Sequence, residues 1–500
     1  MVKRPKAIST FSWPRLAALA MALSIVDACS PRTPTVFFSA APELRPRLED
    51  IERASPLPPG IELGSEKEAS VSITLVAGAD STALGGGAAI AEDAGLLWLA
   101  APLPLADPRY DLGAKEARAA GLLDLGRVVL PERAARIEGR WPGEAGYPFA
   151  EPLLLAARAR RGRLPARLGA WLRAAAARSA AESAPVSLAA TGDLEVGPGE
   201  ARFLLQGDAG LAKLLDSALL TRLRSSDILV GNLEGQITSG GSPDPQKHYH
   251  FRFPPGTGEA YRSMGFDLLL LGNNHSLDFG IPGLLETFSD LASAGIPYVG
   301  AGKNEDEALA LRSALGPASE GILFIGLGAF PDEALGFKAS EAAALSNRPG
   351  INVDLDATLA AIRKAAASGK VVVALVHGGR EFSSAPDEAT RRLFRRLADA
   401  GAALVIGSHP HVLQGVEARG SSLIAYSLGN FLFTGRVMPA DAQRSAVASF
   451  LLYRGAVRGI DVYPVLVTPS GTYTDPRRDE AQGRFSALSA GLNDSTSLSH

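Results

Sequence analysis

Six of the chain's seven histidines fall between residues 248 and 411, and four of them stand just after apolar runs. "VSLAATGD" ends in Asp193, "DILVGNLE" carries Asn232 and Glu234, "DLLLLGNNH" delivers Asn274 and His275, "VVVALVH" ends in His377, and "ALVIGSHPH" ends in His409 and His411. Neutral imidazoles, carboxylates and an amide oxygen, with no thiolate among them, suit divalent manganese, zinc or iron. His409 and His411 flank Pro410. In an extended segment residues two apart project to one side, so this pair is expected to serve two neighbouring ions.

These groups can meet only if the runs are strands of one sheet system. Between the runs lie "IPGLLETFSDLASAG", "LDATLAAIRKAAASG" and "EATRRLFRRLADAG", with apolar residues three and four apart and glycine at the end, which reads as helix. Alternating strand and helix predicts an α/β domain with parallel pairing, and such sheets bind ligands outside the carboxyl ends of their strands. In "KHYHFRF" the even positions His248, His250 and Arg252 share one face of a strand. Arg252, with His250, is the expected binder of an anionic group.

"TGD", "GNLEG", "LGNNHSLDFG", "VHGGREF", "GSHPHVLQGVE" and "YSLGNFLF", in this order, resemble the CapA family of capsule and poly-γ-glutamate synthesis proteins, a branch of the calcineurin-like metallophosphoesterase superfamily. The resemblance spans about Pro185 to Phe433. It implies a four-layer α/β/β/α sandwich with two metal ions at one rim, preceded here by a smaller α/β N-terminal domain. It further implies that Asp193, Glu234, Asn274, His377, His409 and His411 ligate metal, that His275 assists the leaving group, and that Glu381 and Asn430 face substrate. Two positions depart from the wider superfamily: Glu195 stands where a histidine is usual, and Glu234 where the bridging ligand is aspartate.

A net charge of −3, from 50 basic and 53 acidic residues, leaves no excess for a polyanion such as nucleic acid. At the N-terminus, Lys3, Arg4, Lys6 and Arg15 precede an apolar stretch from Leu16 to Val26, too short to span a bilayer, and then Cys29, the only cysteine. Residues 1–28 are therefore expected to be an export signal, and Cys29 a lipidation site that anchors the protein to a membrane. The expected division continues with a proline-rich tether over 29–66 and an N-terminal α/β domain over 67–180. Within that domain, "ADPRYDLGAKEA" and "EGRWPGEAGYPFAEPL" resemble lobes of solute-binding proteins. The CapA-like domain follows over 185–470, and a polar tail over 471–500.

Three functions fit this reading. One is a metal-dependent hydrolase acting on an anionic polymer or phosphoester in capsule or poly-γ-glutamate processing, beside other capsule-synthesis proteins. The second is a non-catalytic, surface-anchored scaffold for the polymer. The third is a phosphoesterase of unrelated substrate.

Overall fold

The computed structural model describes residues 184–493 without a break and, before them, separate stretches between 35 and 181. Residues 1–28 and Cys29 lie outside the described residues. No helix among the described residues is long and apolar enough to cross a membrane. The chain divides into two compact units, Met1–Leu96 with Glu151–Glu182, and Leu97–Ala150 with Ser183–His500.

In the first unit, Thr35–Ala40 runs parallel to Glu62–Leu63 and to Val71–Ala77, which pairs antiparallel with Ala150–Ala159. The helix Arg45–Ala54 buries Leu48 and Ile51. Residues 29–66, read as a tether, thus hold two strands and a helix. Prolines there flank the elements, and Pro46 occupies the first helical turn, where its missing N–H costs nothing. The alanine- and arginine-rich segment forms the helix Ala166–Ala181. Its Trp171 meets Phe38 edge-on at 5.9 Å and donates to the Ser55 carbonyl at 2.8 Å.

In the second unit a ten-stranded sheet and a five-stranded sheet carry the motifs. Val186–Glu195 lies parallel to Ile228–Leu233, and that strand to Leu268–Leu270. In the smaller sheet, Ile322–Ala329, Val371–Gly378 and Ala402–Ser408 are parallel neighbours. Alternation along these strands produces distinct apolar surfaces. Leu188, Val230, Leu268 and Leu270 cluster with Phe324, Val373, Leu375, Leu404 and Ile406, so inner faces of both sheets share one core. Ala189, Leu229 and Leu269 point the other way, into a core with Leu219, Leu223, Tyr261, Leu284 and Phe288 of helices. On the smaller sheet's far face, Val372, Ala374 and Val376 pack with Leu359 and Ile362 of Leu355–Ala367 and with Phe394 and Leu397 of Glu388–Asp399.

Two expected boundaries shift. Within 97–150, Pro102–Pro104 pairs with Glu132–Ala134, which joins the ten-stranded sheet at Gly459, so these strands belong to the second unit. Residues 471–493, read as a polar tail, form the strand Gly471–Thr474 and the helix Arg478–Asn493. That helix is held by buried Phe485 and by Ser489, whose hydroxyl accepts from the Val416 N–H at 3.1 Å. Its few apolar residues hid a helix whose buried face is largely polar.

Candidate metal centre

Strand register assembles the site. Parallel pairing sets Asp193 beside both Asn232 and Asn430, and His377 beside Ser408. Gly192 is required there, because a Cβ would stand 1.8 Å from the Gly429 carbonyl oxygen. That close approach lets the Asp193 N–H donate to Gly429 at 3.0 Å and brings Asn430 alongside.

The strand ends converge as their residue types imply. Glu234, His377 and His409 offer ligand atoms within 4.8 Å of one another, and so do Asp193, Glu234 and His411. Glu234 belongs to both groups, the position of a bridging ligand. All five side chains are buried. Asn274 joins them, its Oδ1 lying 2.8 Å from His377 Nε2. Asn232 donates to Asp193 Oδ1 at 2.8 Å, and His411 Nδ1 lies 2.9 Å from Asn430 Oδ1. Asn430 thus touches His411 of the candidate ligand set, its Nδ2 spent on the Ala442 carbonyl at 3.1 Å.

The "HPH" segment corrects the expectation of an extended pair. His409 has φ 97° and His411 φ 58°, both left-handed, around Pro410. Such backbone costs on the order of 1–3 kcal/mol per residue and persists only where surroundings fix it. Here the His409 N–H donates to Asp193 Oδ2 at 3.3 Å, and the Pro410 carbonyl accepts from Phe382 at 2.8 Å. The two rings are turned by 47° with centroids 6.2 Å apart, so each reaches a different group of ligands.

Both carboxylate oxygens of Glu234 and the Nε2 of His409 are buried without a hydrogen-bond partner. A buried polar atom left so is costly, and a carboxylate more than most. Burial, reinforced by Asp193, holds the Glu234 carboxyl well above its usual range. Burial also pushes the imidazole of His409 down to about 3 and, with the fields of His409 and His411, that of His377 well below normal. Burial would lower His411 too, but Glu234 and Asp193 outweigh it and raise it to about 10. Glu234 and His411 are not independent, since protonating either weakens the pull on the other. Two carboxylates, three imidazoles and an amide oxygen thus converge on one buried pocket. That donor set, with orphaned oxygens at its centre, fits a pair of divalent transition-metal ions.

His275 is oriented from behind. Its Nδ1 meets Asp278 Oδ2 at 2.8 Å, and its ring lies against Phe251 with centroids 4.1 Å apart. Asp278 also faces Lys247 Nζ at 2.6 Å, a lysine whose side chain is fully buried. Lys247 further donates to the Asn274 carbonyl and lies 3.4 Å from Glu333, which accepts from Asn274 Nδ2 at 3.1 Å. Burial opposes ionisation of Asp278, but His275 and Lys247 hold its carboxyl below the normal value.

Asp278, Lys247 and Glu333 were absent from the expected site. Asp278 stands one helical turn from His275 in "HSLD", and Lys247 falls on the aromatic face of "KHYHFRF", two signals that could have found them. Of the anion-binding residues expected there, Arg252 is exposed, lies 3.7 Å from the Phe279 ring centroid and donates to the Gly240 carbonyl at 3.1 Å. His250 contacts the Asp244 carbonyl at 2.7 Å. None of these contacts is with the metal cluster. Glu381 is exposed, and its charge is felt by Glu234 and His411.

The fold and site define a mixed α/β protein with two candidate metal clusters joined at one glutamate. Residues 187–435 match the family described as bacterial capsule synthesis protein PGA_cap. The chain is 30% identical over 245 residues to the PGA biosynthesis protein CapA of Bacillus subtilis, covering 48% of this chain and 62% of that protein. It is also 30% identical over 252 residues to the capsule biosynthesis protein CapA of Bacillus anthracis, covering 49% of this chain and 59% of that protein. The chain therefore spans about three fifths of the length of these relatives.

Proposed function

We propose that the protein is an exported, Cys29-anchored component of cell-envelope polymer metabolism that hydrolyses or transfers a bond of an anionic polymer. The names of its relatives, PGA and capsule biosynthesis, support that setting. The shared core of two sheets, with helices packed on their far faces, supports a four-layer α/β/β/α architecture of the metallophosphoesterase kind. The observation that carries the reading is Glu234, fully buried, with both oxygens unpartnered and common to two ligand groups.

Asp193, Glu234 and His411 would hold one divalent ion, and Glu234, His377, His409 and Asn274 the other. Such a pair supplies Lewis acidity and a nucleophilic water at neutral pH. The chain's own part is positional. Asp278, accepting from His275 Nδ1, fixes the ring's orientation and stabilises its protonated form, from which Nε2 would hand a proton to a leaving group. Lys247 holds Asp278 and the Asn274 backbone in one piece, so ligand and proton carrier keep a common frame.

Elemental mass spectrometry of the purified chain should find close to two transition-metal ions, lost in a His409→Ala/His411→Ala double variant. The loaded chain should cleave bis(p-nitrophenyl) phosphate or shorten poly-γ-glutamate, with the double variant inactive. Absence of metal after supplementation would sink the hydrolase. One feature favours the scaffold reading: Glu195 adds a further buried carboxylate where phosphoesterases use a histidine. Stoichiometric metal without turnover of either compound would support that alternative.

A further inference from the structure

Arg436 has no hydrogen bond among the described residues, although its guanidinium is crowded by aromatic faces. It lies 4.9 Å from the ring centroid of Phe251, 5.2 Å from Tyr249 and 5.6 Å from Phe433. Two of those rings also touch the candidate centre. Phe251 lies tilted against His275 at 4.1 Å, and Phe433 meets His411 edge-on at 5.1 Å. Arg436 therefore stands one ring away from both the proton carrier and a ligand. Its nearest acid is Glu195, at 4.0 Å, too far for a hydrogen bond. Glu195 is 3% exposed, and its Oε2 has no partner.

The backbone under this pair is fixed. The Thr434 N–H donates to the Glu195 carbonyl at 3.2 Å, Thr434 Oγ1 accepts from Gly197 at 2.9 Å, and the Gly435 N–H donates to Pro469 at 2.8 Å. Stacked aromatic rings preserve the planar fork of an arginine without consuming its donors. A guanidinium so held offers parallel N–H groups to an oxyanion. A carboxylate oxygen next to it, short of a donor, asks for an N–H or O–H. A simple ion pair would satisfy neither group at this separation.

We infer that Arg436 and Glu195 form a two-pronged substrate subsite for a carboxylate bearing an N–H or O–H on the neighbouring carbon, the unit of an amino or hydroxy acid. The inference rests on the reading of the metal-binding face as the substrate site. It replaces the exposed Arg252, whose guanidinium is occupied by Phe279 and Gly240, with an arginine whose donors are free. Tyr249, 56% exposed, forms the outer wall.

Isothermal titration of the full chain with N-acetyl-L-alanine, L-lactate, propionate and inorganic phosphate tests this, run metal-loaded and after chelation with metal content measured on the same samples. N-acetyl-alanine and lactate should bind at least about tenfold more tightly than propionate or phosphate, a charge-assisted hydrogen bond being of that size. Arg436→Gln should weaken them by about tenfold or more, while Arg252→Gln changes binding by less than twofold. Glu195→Gln should erase the preference over propionate. Failure of N-acetyl-alanine to bind, equal binding of propionate or phosphate, or an Arg436→Gln variant with wild-type affinity would each overturn the subsite. If two metals are bound in those samples, the hydrolase reading survives that failure. If binding follows the pattern in a chain that takes up no metal, the hydrolase reading falls and the subsite stands.

Discussion

At the scale of single residues, the site rests on buried charges that are each other's solvent. Asp278 is the clearest case, because it serves His275, Lys247 and the Phe251 N–H at 2.6 Å together. Replacing it by asparagine leaves a buried ammonium without its main counter-ion, a change that typically costs about 3–5 kcal/mol. Chemical denaturation of Asp278→Asn should show a loss of that order, and an effect below about 1 kcal/mol would refute the role given to the pair. Glu234 behaves in the opposite way. Its carboxylate has no hydrogen-bond partner, so Glu234→Gln should stabilise the metal-free chain while abolishing the stabilisation that added metal confers. Melting with and without manganese checks both halves, and a variant that still gains stability from metal would remove Glu234 from the bridging position.

Among elements, helix termini are legible and their contributions separable from the site. Asp387 caps Glu388–Asp399, accepting from the Thr390 N–H at 2.8 Å, and Asp216 caps Ser217–Arg224 through Leu219 at 2.8 Å while also accepting from Thr474 at 2.5 Å. Asp387→Ala should cost about 1 kcal/mol by denaturant midpoint, with metal uptake unchanged. The Thr390 N–H holds the Asp387 carboxyl below its normal value. For Asp216 burial acts against ionisation, but the Thr474 and Leu219 bonds prevail and lower it as well. A depressed carboxyl stabilises the fold above the unfolded value, about 3.9, and loses that contribution as pH falls through the lower folded value. The caps should therefore make acid unfolding steeper below about pH 4, and Asp216→Asn should flatten it.

For the whole molecule, binding and folding are linked through the cluster. Ligands come from strands of both sheets, so bound metal would cross-link Val186–Glu195 and the Ile228–Leu233 end to Val371–Gly378 and Ala402–Ser408. An ion bound only by the folded state at a hundred times its dissociation constant adds about 2.7 kcal/mol. Chelation should accordingly lower the melting temperature of the second unit, with recovery on re-addition, and a melt indifferent to chelator would deny the site a structural ion. The sequence by itself determined the local terms of the ligand-bearing region: where its main strands and helices alternate, which residue types end the strands, and in what order the ligand set appears. Those are properties of periodicity and of short motifs, readable within a window of a few residues. Tertiary structure alone decided the left-handed turn that splays His409 and His411, the Lys247–Asp278 pair behind His275, and the choice of Arg436 over Arg252 at the rim. Each depends on strand register and on partners distant in the chain. Arg436 lies 241 residues beyond Glu195, and no local periodicity encodes which ring or carboxylate will face a side chain once parallel strands have paired.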